Sequence, residues 1–272
     1  MPELPEVETV RQMLEPAMRG SRFRRVIVNR PNLRIPFPKQ FVERLRGKTA
    51  TAVSRRGKYL TVPLSSGETL VMHLGMSGWF HVAPIGDRSR EPDPHDHVVF
   101  VMASGKMVVF NDPRRFGFMD LAAKGGLHEY PSLRRLGPEP LSPEFDAASL
   151  ATSCRGKRVA LKVALLDQRI VAGLGNIYAS EALHHARISP FRQASTIATA
   201  GGTPKKDAAQ LVKSVKAVLT AAIKRRESTY GSARFKVYER EGGRCLRGGC
   251  SGTIKRAWQA GRSTFYCPHC QH

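Results

Sequence analysis

Two short stretches of the chain carry residue types able to do chemistry. The first is Met1-Pro2-Glu3-Leu4-Pro5-Glu6. With Met1 removed, Pro2 presents a secondary amine at the terminus, and the Glu3 carboxylate sits on the next residue. A terminal amine has a reference pKa of about 8, so an unprotonated fraction exists near neutral pH. Such an amine adds to electrophilic carbon to give an iminium cation, and a neighbouring carboxylate can carry the protons. The same residues equally suit a stiff leader before a helix. Lys58, in Arg55-Arg56-Gly57-Lys58-Tyr59 at the start of an expected strand, is a competing amine.

The second stretch is the C-terminus. Of five cysteines, Cys245, Cys250, Cys267 and Cys270 fall in the last 28 residues, with four residues inside the first pair, two inside the second and sixteen between. That clustering points to metal rather than disulfides, and four thiolates make a closed tetrahedral zinc site with no place for a catalytic water. An iron–sulfur cluster or free thiols are the alternatives. His269 reads as a bystander and Cys154 as a small buried side chain. Lys255, Arg256 and Arg262, with Trp258, Phe265 and Tyr266, make the segment between the pairs a basic hairpin suited to phosphates.

Two loops add to these. Asn111-Asp112-Pro113-Arg114-Arg115-Phe116-Gly117 sets two guanidiniums beside an aromatic ring, a combination that can bind phosphate and wedge between stacked bases. In His73-Leu74-Gly75-Met76-Ser77-Gly78, an apolar Met76 stands among glycines and is expected to be exposed. Further on, Asp167 to Glu181 reads as the end of one helix, a turn with Gly173 and Gly175, and a second helix opening at Asn176. Its first amides would suit an anion; an ordinary hairpin of two helices is the plainer reading.

The elements that must position these residues follow from periodicity. Val7, Val10, Leu14, Ala17 and Met18 define a helix from about Pro5 to Arg19, ended by Gly20 and bent at Pro16. From Phe23 to Leu121 the pattern is short strands: 23–28, 59–64, 70–74, and 97–103 with 106–110 around Ser104-Gly105. Arg88 to Pro94 is a loop. Residues 130–145 hold four prolines and mark a boundary. Helical spacing then runs over 159–167, 176–186 and 208–225. The expected architecture is α+β: residues 1–130 as an N-terminal helix with an antiparallel β-sandwich, 131–145 as linker, 146–236 as a helical domain, and 237–272 as the finger.

Lys and Arg number 44 against 22 acidic residues in 272, a net charge of +22. Such an excess calls for a polyanionic partner, and its spread over every segment favours nucleic acid over a membrane surface. No apolar run reaches the length of a membrane span, so a soluble, cytosolic protein is expected.

Taken together, these motifs resemble the bacterial formamidopyrimidine-DNA glycosylase family over nearly the whole chain. The resemblance rests on residues 1–6, Lys58-Tyr59, 73–78, His95-Asp96-His97, 112–117, 173–181 and the finger. Leu4 and the Pro113-to-Gly117 loop separate it from the endonuclease VIII group. It implies a helix-two-turn-helix module at 165–181, one structural zinc ion, and action as a monomer, in the bacterial cytoplasm and at the nucleoid, on double-stranded DNA carrying oxidised bases or abasic sites, held between two lobes. It implies Pro2 as nucleophile and Glu3 as proton donor and acceptor. Lys58, His95, Arg114, Asn176, Arg262 and Lys157 would hold DNA, mainly at its phosphates, with Lys58 and Arg262 counted as catalytic beside Pro2 and Glu3. Met76, Arg114 and Phe116 would fill the gap left by a flipped nucleotide, Glu6 would steady the first helix, and Tyr238 matches a family tyrosine. One departure stands out. The family's long loop after the last helix, which closes over oxidised guanine, is much shortened at Lys224 to Tyr230.

Overall fold

In the computed structural model the described residues are 2–87, 91–225 and 235–272. Part of the expected loop at 88–94 and most of the segment 224–230 lie outside them. The chain divides into two compact units, one of Pro2 with Glu6–Arg134 and one of Glu3–Pro5 with Arg135–His272.

Helix α1 (Leu4–Met18) enters the first unit at Glu6, and its Val7, Val10, Leu14, Ala17 and Met18 are buried at helical spacing. Gly20 follows it in the left-handed region at φ 72°, where a glycine costs least. Among the described residues, eight antiparallel strands form two four-stranded sheets. One has the order β1-β6-β7-β5, from Phe23–Val28, Asp96–Met102, Lys106–Asn111 and Trp79–Pro84. The other has the order β2-β3-β4-β8, from Ser54–Arg56, Tyr59–Pro63, Thr69–His73 and Phe118–Ala122. Phe23, Phe100, Val108 and Phe110 of the first sheet share one core with Leu60, Leu70, Met72 and Met119 of the second and with α1. A short helix α2 (Phe41–Leu45) closes one edge of that core.

The second unit is helical, with α3 (Ala147–Cys154), α4 (Leu161–Leu166), α5 (Asn176–Ala186) and α6 (Lys206–Arg225). Helix α6 buries Ala208, Leu211, Val215, Leu219 and Ala222 along one stripe. Helix α5 is buried on nearly every side, Ser180, Glu181 and His184 included. The unexpected α3 is set by a capping box: Asp146 accepts from the Ser149 amide while the Ser149 hydroxyl accepts from the Asp146 amide. Strands β9 (Lys255–Gln259) and β10 (Arg262–Tyr266) pair across Ala260 and Gly261, both at positive φ, and with the four cysteines make a small satellite core. Among the described residues no helix is long and apolar enough to cross a membrane.

Candidate active site and metal centre

The Glu3 carboxylate is buried and held by backbone amides. It accepts from the Ile177 amide at 2.9 Å and from the Tyr178 amide at 3.3 Å, in the first turn of α5. The N-cap of that helix is Gly175, which offers no side chain of its own, so Glu3 supplies the cap from 174 residues away. A Cβ on Gly175 would lie 2.3 Å from the Glu3 carboxyl carbon, so any other residue there has to push that carboxylate aside. The main chain of Leu4 donates to the Gly173 carbonyl at 3.1 Å, fixing the peptide that carries the carboxylate. The turn itself is stapled by Gln168, which donates to the Leu174 carbonyl at 2.8 Å and accepts from the Gly173 amide at 2.8 Å. The helix start expected to receive an outside anion is therefore occupied by the chain's own carboxylate. Pro2, one peptide bond from Glu3, is half-buried.

Asn176 begins α5 and faces inward. Its Oδ1 accepts from Lys162 Nζ at 2.6 Å, and its Nδ2 donates to the Ser263 carbonyl at 3.0 Å. Lys162, on α4, is wholly buried and also donates to the Ser263 carbonyl at 3.0 Å and to Thr264 Oγ1 at 2.7 Å. Burial, then the nearby Arg262 charge, draws its pKa down to about 8, with Glu3 pulling the other way. This lysine locks α4, α5 and β10 together. It escapes a sequence reading because a lysine on a short helix looks like a solvated one, and only the apolar residues around it hint otherwise. Tyr238 stands within the electrostatic reach of Glu3, Asn176 and Arg262, so these groups share one neighbourhood. Three amides of the segment carrying Tyr238, those of Lys236, Val237 and Tyr238, converge on the Glu181 carboxylate at 2.8–2.9 Å. Lys157 is exposed in the turn after α3, where its amide donates to the Cys154 carbonyl at 3.1 Å, apart from this group.

In the first unit the two motif loops are tied by Asp112, which is fully buried. Its carboxylate accepts from Ser77 Oγ at 2.6 Å and from the Gly117 amide at 2.7 Å, and its carbonyl receives His97 Nε2 at 2.9 Å. The loops approach so closely that a Cβ on Gly75 would sit 2.2 Å from the Phe116 carbonyl carbon. Met76 and Phe116 thereby come to one place, 41 and 42 % exposed, with the Arg114 guanidinium 4.8 Å from the Phe116 ring centre. Arg34, His73, Gly75, Met76 and Phe116 line a cavity. His73 accepts the Gly75 amide at Nδ1 (3.0 Å) and stacks on Phe118. Burial, reinforced by Lys58 and Arg34, holds its pKa down to about 4. Lys58 is buried in the two-residue turn before β3, and His95 is half-buried just ahead of β6.

The four cysteines fit a tetrahedral ion. Their sulfurs lie within 4.8 Å of one another, with Cys250 to Cys267 at 3.7 Å and Cys245 to Cys270 at 4.0 Å. Zinc–sulfur bonds of about 2.3 Å in a tetrahedron put sulfurs about 3.8 Å apart. Gly252 completes the cradle, since a Cβ there would fall 2.7 Å from the Cys267 sulfur. His269 is exposed and outside the cluster. Cys154 is buried in the helical core, and burial pushes its thiol up to about 11.

A sandwich with an N-terminal helix, a helix-two-turn-helix module and a four-cysteine finger define a class of DNA glycosylase. Residues 1–119 match the model of the formamidopyrimidine-DNA glycosylase N-terminal domain, 136–233 that of the formamidopyrimidine-DNA glycosylase H2TH domain, and 242–272 a zinc finger found in FPG and IleRS. The chain is 52 % identical to the formamidopyrimidine-DNA glycosylases of Rhodopseudomonas palustris strain HaA2 and Bradyrhizobium diazoefficiens, with all of each chain covered. Its structure resembles that of the Lactococcus lactis enzyme bound non-covalently to DNA containing an abasic site (TM-score 0.86, 32 % identity, 99 % of both chains). It also resembles the MutM (Fpg) protein of Thermus thermophilus (TM-score 0.82, 37 % identity, 99 % of this chain and 98 % of that one). The chain belongs to the formamidopyrimidine-DNA glycosylase family.

Proposed function

We propose that the chain is a bifunctional glycosylase and abasic-site lyase of base excision repair, acting on oxidised purines in double-stranded DNA, in the cytoplasm at the nucleoid. The observation that carries this reading is the Glu3 carboxylate, fixed by two α5 amides directly beside Pro2, which presents a secondary amine once Met1 is removed. Relatives support the substrate class, since solved MutM and Lactococcus enzymes are described in complex with DNA containing carbocyclic 8-oxo-G and Fapy-dG.

The chemistry follows from the groups present. A base inside a duplex is out of reach and is swung out, at a cost of about a few kcal/mol offset by side chains entering the gap. Met76, Arg114 and Phe116 are exposed together and suited to that entry. Lys58, His95, Asn176, Arg262 and Lys157 hold the strand. The Pro2 nitrogen lone pair bonds to the sugar C1′ as the N-glycosidic pair leaves with the base, which takes up a proton. The Glu3 carboxylate takes the N–H proton of the resulting ammonium and delivers it to the ring oxygen as the C1′–O4′ bond breaks, leaving an iminium between Pro2 and C1′. The iminium acidifies C2′; loss of that proton expels the 3′ phosphate, and a second elimination expels the 5′ phosphate. Water then releases Pro2. In this reading residues 1–130 carry the amine and the wedge, 131–145 link, and 146–236 with the finger 237–272 grip DNA. Zinc, held by the four cysteines, supplies structure and takes no part in bond making.

Borohydride trapping on a lesion-bearing duplex tests the reading. The wild type gives a covalent adduct, Pro2→Gly gives none, and Glu3→Gln gives little. An adduct at wild-type level from the Pro2 variant would move the chemistry to Lys58 or elsewhere.

A further inference from the structure

The sulfurs of the metal centre are not equivalent in their surroundings. His184, on the last turn of α5, is buried, and its Nε2 lies 3.3 Å from Cys245 Sγ. A metal-bound thiolate carries no proton, so the ring nitrogen facing it is the donor. Arg247 stands inside the four-residue gap of the first cysteine pair. Its guanidinium donates to the His184 carbonyl and reaches the His185 carbonyl at 3.4 Å, at the negative end of the α5 dipole. The same guanidinium is within hydrogen-bond reach of the Cys270 sulfur. Cys250 receives the Gly252 amide at 3.4 Å.

A zinc ion with four thiolates carries a net charge of −2, which is costly where water is scarce unless donors spread it. We infer that His184 and Arg247 are positioning residues for the metal: they form an outer shell that fixes Cys245 and Cys270 and slows metal loss, while docking the finger on the C-terminal end of α5. The helix whose first turn holds the Glu3 carboxylate thus ends on the metal centre. The broad first knuckle has a purpose in this arrangement, because it gives Arg247 the reach to touch both α5 and a ligand sulfur.

The inference rests on the four-cysteine zinc reading, and the test separates the two. Full-length protein is loaded with zinc, and release to the chelator 4-(2-pyridylazo)resorcinol is followed for wild type, His184→Leu, His184→Gln and Arg247→Ala. Matched cobalt-loaded samples report the thiolate-to-metal charge-transfer band. Removing an outer-shell partner typically costs about ten-fold or more in metal retention, so His184→Leu and Arg247→Ala release zinc about ten times faster than wild type. Their cobalt bands move to lower energy, because a sulfur without its donor gives up charge more readily. His184→Gln, which can still present an N–H, stays near wild type. Wild-type release rates and unmoved bands in both His184→Leu and Arg247→Ala overturn the inference. Arg247 is half-exposed, so its variant keeps the test decisive should His184→Leu fail to fold. Wild type that holds no zinc overturns the metal reading itself.

Discussion

The Glu3 carboxylate and Gly175 fit as a pair: the carboxylate caps α5 through Ile177 and Tyr178, and the missing side chain at Gly175 makes the space it occupies. Gly175→Ala therefore displaces Glu3. An alanine methyl 2.3 Å from the carboxyl carbon cannot coexist with it, and two hydrogen bonds to a charged group are lost, at about 1.5–3 kcal/mol each. The expected result is a fall of at least about ten-fold in borohydride-trapped adduct, with affinity for a duplex bearing a stable abasic analogue within about three-fold of wild type. Equal losses in both assays would mean that the substitution damages the helix and not the carboxylate.

In the proposed function, Asp112 governs the wedge in the same indirect way. Asp112→Ala removes the acceptor shared by Ser77 and Gly117 and frees the loops carrying Met76 and Phe116 from each other. Two hydrogen bonds to a buried charge should lower the unfolding free energy by about 3 kcal/mol. Excision from a duplex should fall much further than trapping on a single-stranded abasic oligonucleotide, because only the duplex needs its gap filled. A parallel loss on both substrates would place Asp112 in the chemistry.

How much of this is legible in the sequence depends on the distance over which each signal acts. Helix α5 opens at Asn176, as the Gly-Leu-Gly turn indicates, and α1 buries the five residues its period names. Both are local patterns. The cysteine cluster is equally plain, because thiolates crowded into a short segment have few other uses. The Glu3 cap is not legible: two residues 174 positions apart leave no periodic trace, so the α5 terminus looks open to an outside anion. The partners of Asn176 are equally hidden, since Lys162 and Ser263 meet its amide from 14 and 87 positions away. Helix α3 escapes for a different reason, since Ser149 fills the capping-box position where a glutamate or glutamine is the usual cue.

Lys162 gives the fold a pH signature. Its folded pKa of about 8 lies below the value of 10.5 for an exposed lysine. Between those values the unfolded chain holds a proton that the folded chain has lost, so this group makes stability rise with pH across the window. Below pH 8 its contribution is a constant cost of burying the charge. Lys162→Met should flatten the dependence by up to about 1.4 kcal/mol per pH unit between pH 8 and 10.5, measured by denaturant unfolding. An unchanged slope would mean that the ammonium stays charged throughout.

Metal removal should act locally. The finger's own core consists of Val237, Ile254, Phe265 and three of the cysteines, too little to hold a fold without the ion. The helical core from Phe145 to Ala222 is separate and large. Stripping zinc should therefore raise amide exchange across 242–272 and free the Ser263 and Thr264 partners of Lys162, while α5 and α6 stay protected. DNA affinity should drop as the basic β9–β10 hairpin loses its fixed shape. Protection retained through the finger in metal-free protein would contradict this.

A lesion ranking is expected from the length of one connection. Nine residues of sequence lie between Arg225 and Phe235, where the resemblance to the family implies a longer segment that closes over oxidised guanine. A shorter connection has fewer groups with which to read an intact bicyclic base, whereas a ring-opened purine has a weakened glycosidic bond and needs less from the protein. An abasic site needs nothing from that segment at all. Single-turnover excision on matched duplexes should then rank abasic sites and formamidopyrimidines above 8-oxoguanine, with the lyase step unaffected. Lengthening the connection by grafting the corresponding segment of a family member should raise 8-oxoguanine excision selectively. A wild-type preference for 8-oxoguanine over ring-opened purines would show that base reading lies elsewhere in the chain.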